Sequence, residues 1–499
     1  MKEVLTRDAE AEELFCRLSG LPGAMFLDSS KQDEKLGRYS IILVDPFAEL
    51  IVMGEQVRFH RLLSSGPGGV NSKSGSDHPF HLDSFMTEGN PLHVIGEMTE
   101  YFRISDPGSS GRATVSGSGK STVPKSVPCE NGCAAGYLSY DLGFSIEKIR
   151  GRAVRDFDIP TAILNLYDIT VVVEHSNQTA YICTVDGISG TSPERMMQRI
   201  SRIREMAKSP SDPFPVGSTG FRCGLPKSGF SRDQYRKMVL KAKEYIRNGD
   251  IYQVNLSQRF SGLFSGDPYC AYRVLRRACP APFSAYMSFG SLRILSSSPE
   301  RFFETNGHMI RTRPIKGTRP RGQTPERDRA LLRELSESEK ERAELTMIVD
   351  LLRNDLGRIC RLDSVRVEEL CEQETYENVF HQVATIRGEL SEKVGTGDIL
   401  RAVFPGGSIT GAPKIRAMEI IEELEPVKRG IYTGSLGYFG FDGRSDLNIA
   451  IRTLVCLEKQ FYYQVGGGIV WDSDPDEEYD ETIHKGRSIY KVLESFCDE

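Results

Sequence analysis

Short apolar runs bounded by turn residues recur along the chain, and helical stretches fall among them with no regular strand–helix–strand rhythm. Tyr39–Val44 (YSIILV), Glu49–Met53 (ELIVM), Ala134–Leu142 (AAGYLSYDL), Ala162–Leu166 and Thr170–Val173 read as strands. Ser231–Asn248 (SRDQYRKMVLKAKEYIRN) has helical spacing, a serine to cap its first turn and Gly249 to stop it. Ile251–Phe260 (IYQVNLSQRF) then alternates as a strand does. This mixture predicts an α+β protein, with helices laid over mostly antiparallel sheets.

At 499 residues the chain exceeds one ordinary core, which predicts two domains or one large two-layer domain with an appended half. The polar stretch Lys208–Gly217 separates a region 1–217 from a region 230–496. Within the first, Ser64–Asp77 and Ser105–Lys125 are rich in Gly, Ser and Pro and read as flexible insertions. The second insertion carries SGSGKST, half of a phosphate-binding loop, but Thr114 stands where the full pattern needs its first glycine. A net charge of -6 gives no basic field for nucleic acid, and no apolar run reaches membrane-spanning length. The charged start MKEVLTRDAEAEELF lacks a signal-peptide core, so a cytoplasmic protein is expected. Among 11 cysteines only Cys129 and Cys133 lie close together, and the 8 histidines supply no matching pair. Reduced, structural thiols are expected rather than a zinc site.

Two segments concentrate carboxylates. In Glu339–Leu356 (EKERAELTMIVDLLRNDL), Leu345, Ile348, Val349, Leu352 and Leu356 share one helical face. Glu341 and Glu344, three apart, lie on or beside that stripe, where two like charges repel unless a cation joins them. The alternative is a pair of surface glutamates answering Lys340 and Arg342. Ser473–Lys485 (SDPDEEYDETIHK) opens with Ser473 or Asp474 as cap and Pro475 in the first turn. It repeats the spacing at Glu478 and Glu481, with Lys485 four further on. Acids there also suit the helix dipole. Two helices that each present such a pair form an all-oxygen site of the kind Mg²⁺ takes. Just before the second helix, Gln464–Val470 (QVGGGIV) sets three glycines after a strand, letting backbone approach a ligand and offering N–H groups to an anion.

With SSSPERF, RPIKGTRPRG, GGSITGAPKIRAMEII and RGIYTGSLGYFGFDG, these segments resemble the chorismate-utilising enzymes in family order, from about Phe230 to Ser495. Weaker matches lie at FLDSS, GRYSI and GYLSYDLG. The resemblance implies a fold of the anthranilate synthase component I type: two orthogonally packed antiparallel sheets, surrounding helices and a site in a central cleft. It implies Mg²⁺ bound to the ring carboxylate of chorismate, with Glu344 and Glu481 as direct ligands and Glu341 and Glu478 as their partners. Tyr432, Arg452, Gly466, Gly468 and Lys485 match positions that hold substrate carboxylates, and Ser408 and Thr410 line the pocket. His381 matches a histidine near the leaving hydroxyl; read alone, it would be a satisfied core residue.

Glu300 matches the family's general acid, which protonates the departing C4 hydroxyl and needs a raised proton affinity to do so. Alone, the residue also suits a salt bridge with Arg301. Family members that add water carry a lysine at position 253; here Gln253 stands, an amide that takes no proton at neutral pH. Ammonia is therefore the expected nucleophile. Lys316, by default a solvated loop charge, matches a nucleophile that attacks C2, where the ortho-aminating relatives carry alanine. Glu300 and Lys316 fall on consecutive extended segments joined by a turn at Asn306–Gly307, so adjacent strands are expected to bring them onto one face. The resemblance implies Mg²⁺-dependent amination of chorismate to 4-amino-4-deoxychorismate, for para-aminobenzoate and folate synthesis. It further implies a heterodimer in which a separate glutamine amidotransferase subunit supplies the ammonia. The alternatives are ortho amination with loss of pyruvate, and chorismate binding without turnover.

Overall fold

The computed structural model describes residues 1–32, 36–63, 79–104, 126–149, 151–209, 220–375 and 379–497. The expected insertions at 64–77 and 105–125, and most of 208–217, lie outside the described residues.

Two large sheets are built from antiparallel pairs. One runs from Lys2–Thr6 through Thr179–Thr184, Ile169–Glu174, Tyr39–Leu43 and Met25–Asp28 to Phe283–Phe289, Leu292–Ser298, Thr453–Leu457, Gln460–Ile469 and Gln253–Ser265. The other runs from Ile315–Pro320 through Val379–Glu389, Met309–Arg313, Arg301–Asn306, Arg444–Asn448 and Ser435–Gly440 to Cys133–Leu138, Ala162–Tyr167, Ala48–Met53, Gln56–Arg61 and Ser84–Glu88. Each sheet crosses from one half of the chain to the other: Met25–Asp28 pairs with Phe283–Phe289, and Cys133–Leu138 with Ser435–Gly440.

A core that includes Met25, Leu43, Tyr137, Ile163, Val172, Met287 and Ile294 draws side chains from both sheets. Cys133–Leu138 and Ile169–Glu174 are accordingly buried along their whole length. Gln56–Arg61 alternates exposed and buried residues, the pattern of an antiparallel strand with one wet face. Ala11–Leu18, Pro193–Lys208, Pro268–Ala278 and Pro475–Glu494 pack on the first sheet, and Pro91–Tyr101, Glu339–Gly357 and Thr396–Val403 on the second. No helix among the described residues is long and apolar enough to cross a membrane.

The helix read at 231–248 forms at Arg232–Arg247, with Ser231 as cap and a reciprocal bond from Gln234. The strand after it forms as Gln253–Ser265. Ala134–Leu142, expected as one strand, is extended only over Cys133–Leu138 and continues as a 3₁₀ turn at Tyr140–Ser145. The chain leaves the ladder there because the Tyr140 N–H donates to the Gly430 carbonyl instead.

Candidate active site

The helix Glu339–Gly357 begins at Ser338, whose hydroxyl accepts the Glu341 N–H at 3.3 Å, and it buries the five apolar residues that its spacing predicts. Glu341 and Glu344 are half-buried at its edge. Glu341 pairs with Arg319 at 3.2 Å. Glu344 makes no ion pair among the described residues; burial pushes its carboxyl up, Lys316 pulls it back, and Glu341 adds to the push. The helix Pro475–Glu494 is capped by Asp474, which accepts the N–H groups of Asp476 and Glu477 at 2.9 and 3.1 Å. Ser473 serves the site instead: its hydroxyl donates to Glu478 Oε1 at 2.6 Å. Glu478 is 5% exposed and its Oε2 has no hydrogen-bond partner. Burial raises its carboxyl to about 7, opposed by Ser473 and reinforced by the Glu481 charge. Glu481 holds Lys485 at 2.5 Å; burial pushes its carboxyl up, but Lys485 and the neighbouring lysines outweigh that and lower it.

The three glycines lie inside the strand Gln460–Ile469, not after it, paired with Ser257, Leu256 and Asn255. What they supply is room. A Cβ on Gly467 would lie 3.1 Å from Glu478 Oε2 and 3.5 Å from Glu481 Oε1; one on Gly468 would lie 2.2 Å from Gln253 Nε2. Gly467, which sequence reasoning did not single out, therefore faces both carboxylates of the second helix with bare backbone. The Gly466 carbonyl accepts from Lys485 at 3.2 Å. Among the described residues, no three His, Cys, Asp or Glu side chains converge closely enough to hold a metal ion as they stand. The two glutamate pairs still fit a hard divalent cation. An orphaned buried oxygen on Glu478, and the raised carboxyls of Glu344 and Glu478, each pushed further by a neighbouring glutamate, call for positive charge, and Mg²⁺ needs only one or two carboxylates, completing its shell with water and substrate.

Glu300 is 5% exposed. No bridge to Arg301 forms, because Arg301 turns to Asp446 at 2.9 Å and Glu304 at 3.1 Å. Ser408 Oγ instead donates to Glu300 Oε1 at 2.7 Å. Burial raises the Glu300 carboxyl, opposed by the Ser408 bond, the Lys316 charge and the Ile315 N–H. A buried carboxyl held above its usual range is suited to give up a proton during reaction.

The expected route from Glu300 to Lys316 needs correction. Across the turn at Asn306–Gly307, Arg301–Asn306 pairs with Met309–Arg313, Arg301 opposite Arg313. Pro314, which cannot donate to the ladder, follows, and Lys316 lies on the next strand, Ile315–Pro320, paired with Val379–Glu389. From there Lys316, half-buried, acts by its charge on Glu300, Glu344 and Glu481. Gly317 forms a bulge with φ of 71°, and a Cβ there would lie 2.8 Å from Leu335.

Ser408 is placed by a buried pair that the sequence did not reveal. Arg429 and Glu425, with side chains 2% and 3% exposed, meet at 2.8 Å. Arg429 also donates to the carbonyls of Ile409 at 3.0 Å and Asn255 at 2.7 Å, and Glu425 accepts the Ser257 N–H at 2.8 Å. Thr410 turns its hydroxyl back to the Gly406 carbonyl at 3.0 Å. The half-buried Tyr432 keeps its hydroxyl unbonded among the described residues. Arg452 adopts φ of 49°, a strained conformation for a long side chain, and Nη1 meets Cys279 Sγ at 3.6 Å. With no carboxylate partner among the described residues, its planar fork is available to one. His381 is 2% exposed, and Nδ1 lies 2.9 Å from Thr318 Oγ1. Burial, with the charges of Arg452 and Lys31, lowers it to about 3, so it is a neutral imidazole.

The sequence profile of the chorismate binding enzymes matches residues 107–491, and the chain belongs to that family. It is 37% identical over 491 residues to aminodeoxychorismate synthase component 1 of Escherichia coli K12, covering 98% of each chain. It is also 37% identical over 483 residues to anthranilate synthase component 1 of Aquifex aeolicus, covering 91% of this chain and 94% of that one. The crystal structure of anthranilate synthase component I from Streptococcus pneumoniae TIGR4 aligns with a TM-score of 0.74 at 30% identity, over 91% of this chain and 92% of that one.

Proposed function

We propose that the chain is component 1 of an aminodeoxychorismate synthase, aminating chorismate at C4. The observation that carries this reading is Lys316, half-buried, with its charge acting on the buried acid Glu300 and on glutamates of both helices. Glu344 and Glu481, backed by Glu341 and Glu478, would hold Mg²⁺. When bound, Mg²⁺ supplies positive charge for the ring carboxylate. Arg452, Tyr432 and Lys485 orient the substrate's carboxylates. The Lys316 amine bonds to C2, the ring double bonds shift, and the C4–O bond breaks as Glu300 gives its proton to the departing hydroxyl. Ammonia then bonds to C4 and gives up the proton that restores Glu300, the double bonds shift back, and the C2–N bond breaks to release Lys316 as the free amine. Gln253 is an amide and takes no proton at neutral pH, so position 253 supplies no base that would activate water. Relatives named as component 1 support a second subunit, a glutamine amidotransferase, as the source of ammonia.

Equal identity to the Aquifex anthranilate synthase favours one second reading, amination at C2 with loss of pyruvate. The test is purified chain with chorismate, Mg²⁺ and an ammonium salt, products separated by chromatography. Aminodeoxychorismate is expected, and its formation is lost in Lys316→Ala. Anthranilate with pyruvate overturns the reading.

A further inference from the structure

The strand Val379–Glu389 presents Phe380, Gln382, Ala384 and Ile386 on one face, by its two-residue period. Phe380 packs with Leu331 and Leu335, and Ala384 and Ile386 pack in the cluster that holds Leu345 and Ile348. Gln382 interrupts this apolar stripe beneath the helix that carries Glu341 and Glu344. It is 1% exposed, and its Oε1 has no hydrogen-bond partner. A buried amide oxygen left unpaired destabilises a fold, so such an atom needs a reason. On one flank its register partner is Gln373, which makes no hydrogen bond to it among the described residues. On the other flank the register partner is Lys316. Direct partners in an antiparallel pair share a face with Cβ atoms about 5 Å apart. The neighbouring pair, Thr318 and His381, does touch, at 2.9 Å. The Lys316 ammonium makes neither a hydrogen bond nor an ion pair among the described residues, so both members of the pair have capacity to spare.

We propose that Gln382 is a positioning residue for Lys316, its Oε1 accepting a hydrogen bond from Lys316 Nζ. The contact aims the amine at C2, and it persists while Nζ is bonded to substrate as a secondary amine with one N–H left. A carboxamide suits the task because it accepts a hydrogen bond without adding negative charge beside a nucleophile that must be neutral. The inference rests on the reading of Lys316 as nucleophile given above.

The test compares Gln382→Leu, Gln382→Met and Lys316→Ala with the parent chain. It uses steady-state amination with ammonium salt and intact-mass detection of the chorismate adduct when ammonia is left out. Gln382→Leu should lower kcat about tenfold, the worth of one hydrogen bond to a charged or reacting group, with KM for chorismate unchanged. Adduct formation should slow in parallel. Thermal stability should hold, because an apolar side chain fits the stripe and offsets the one hydrogen bond lost. If Gln382→Leu does not fold, Gln382→Met, equally long and without an acceptor, carries the comparison. A parent-like kcat in a folded variant overturns the inference, as does a loss of kcat that tracks a loss of thermal stability. If Lys316→Ala keeps the parent's para-amination rate, it is the nucleophile reading that fails.

Discussion

Glu478 makes metal binding and pH a single problem. Its carboxyl is raised to about 7, first by burial and also by the nearby Glu481 charge, and it is 5% exposed. The rise from 4.5 is worth about 3 kcal/mol, at about 1.4 kcal/mol per unit. The group is an acid whose folded value lies above its unfolded value, so the folded state holds the proton longer. Stability is therefore undiminished while the group is protonated in both states, and declines as pH rises from 4.5 through about 7. Glu478→Gln removes this dependence. Without metal, the variant should match the parent at low pH and exceed it by up to about 3 kcal/mol above pH 7, roughly 3 °C for a chain of this size. Mg²⁺ prefers the ionised carboxylate, so its apparent affinity should rise up to tenfold per pH unit below 7 and level off above, with one proton released. Thermal denaturation and calorimetric Mg²⁺ titration at pH 6 and pH 8 measure both effects. Equal Mg²⁺ affinity at the two pH values, or a Glu478→Gln chain that keeps the parent's pH dependence, refutes the reasoning.

Ser408→Ala removes a bond that lowers Glu300, so Glu300 should keep its proton to higher pH and the alkaline limb of the amination profile should move upward; a pH–rate series checks this. Arg429→Met leaves Glu425 buried without its partner and should cost about 3–5 kcal/mol, read by chemical denaturation, while Arg429→Met with Glu425→Met should recover only part of it, because the Ile409 and Asn255 carbonyls and the Ser257 N–H lose their partners.

The candidate site was legible where local spacing carried the signal. The stripe from Leu345 to Leu356 and the glutamates three apart on two helices came from periodicity alone, and both helices formed with the expected starts. Glu300 and Lys316 came from motif resemblance, but their path to each other did not. Pro314 ends one pairing and starts another, which a two-strand reading could not foresee. The Arg429–Glu425 pair was invisible because it binds the Ile409 and Asn255 carbonyls and the Ser257 N–H, and main-chain atoms leave no trace in residue types. The glycine run at 466–468 was legible, but the particular place of Gly467 was not: it faces Glu478 and Glu481 from inside a strand, and spacing along the chain carries no sign of that approach.

The sheets' exchange of strands between halves has a consequence during synthesis. Cys133–Leu138, buried from end to end, finds its neighbour only when Ser435–Gly440 has emerged. That is roughly 300 residues later, or about 15–60 s at ordinary ribosome speeds. For that interval one flank of a fully apolar strand is a vacant template in a crowded cell. The nascent chain should thus depend on holding chaperones until its last eighth appears, and a ribosome stalled before position 435 should leave an aggregation-prone fragment rather than a folded chain.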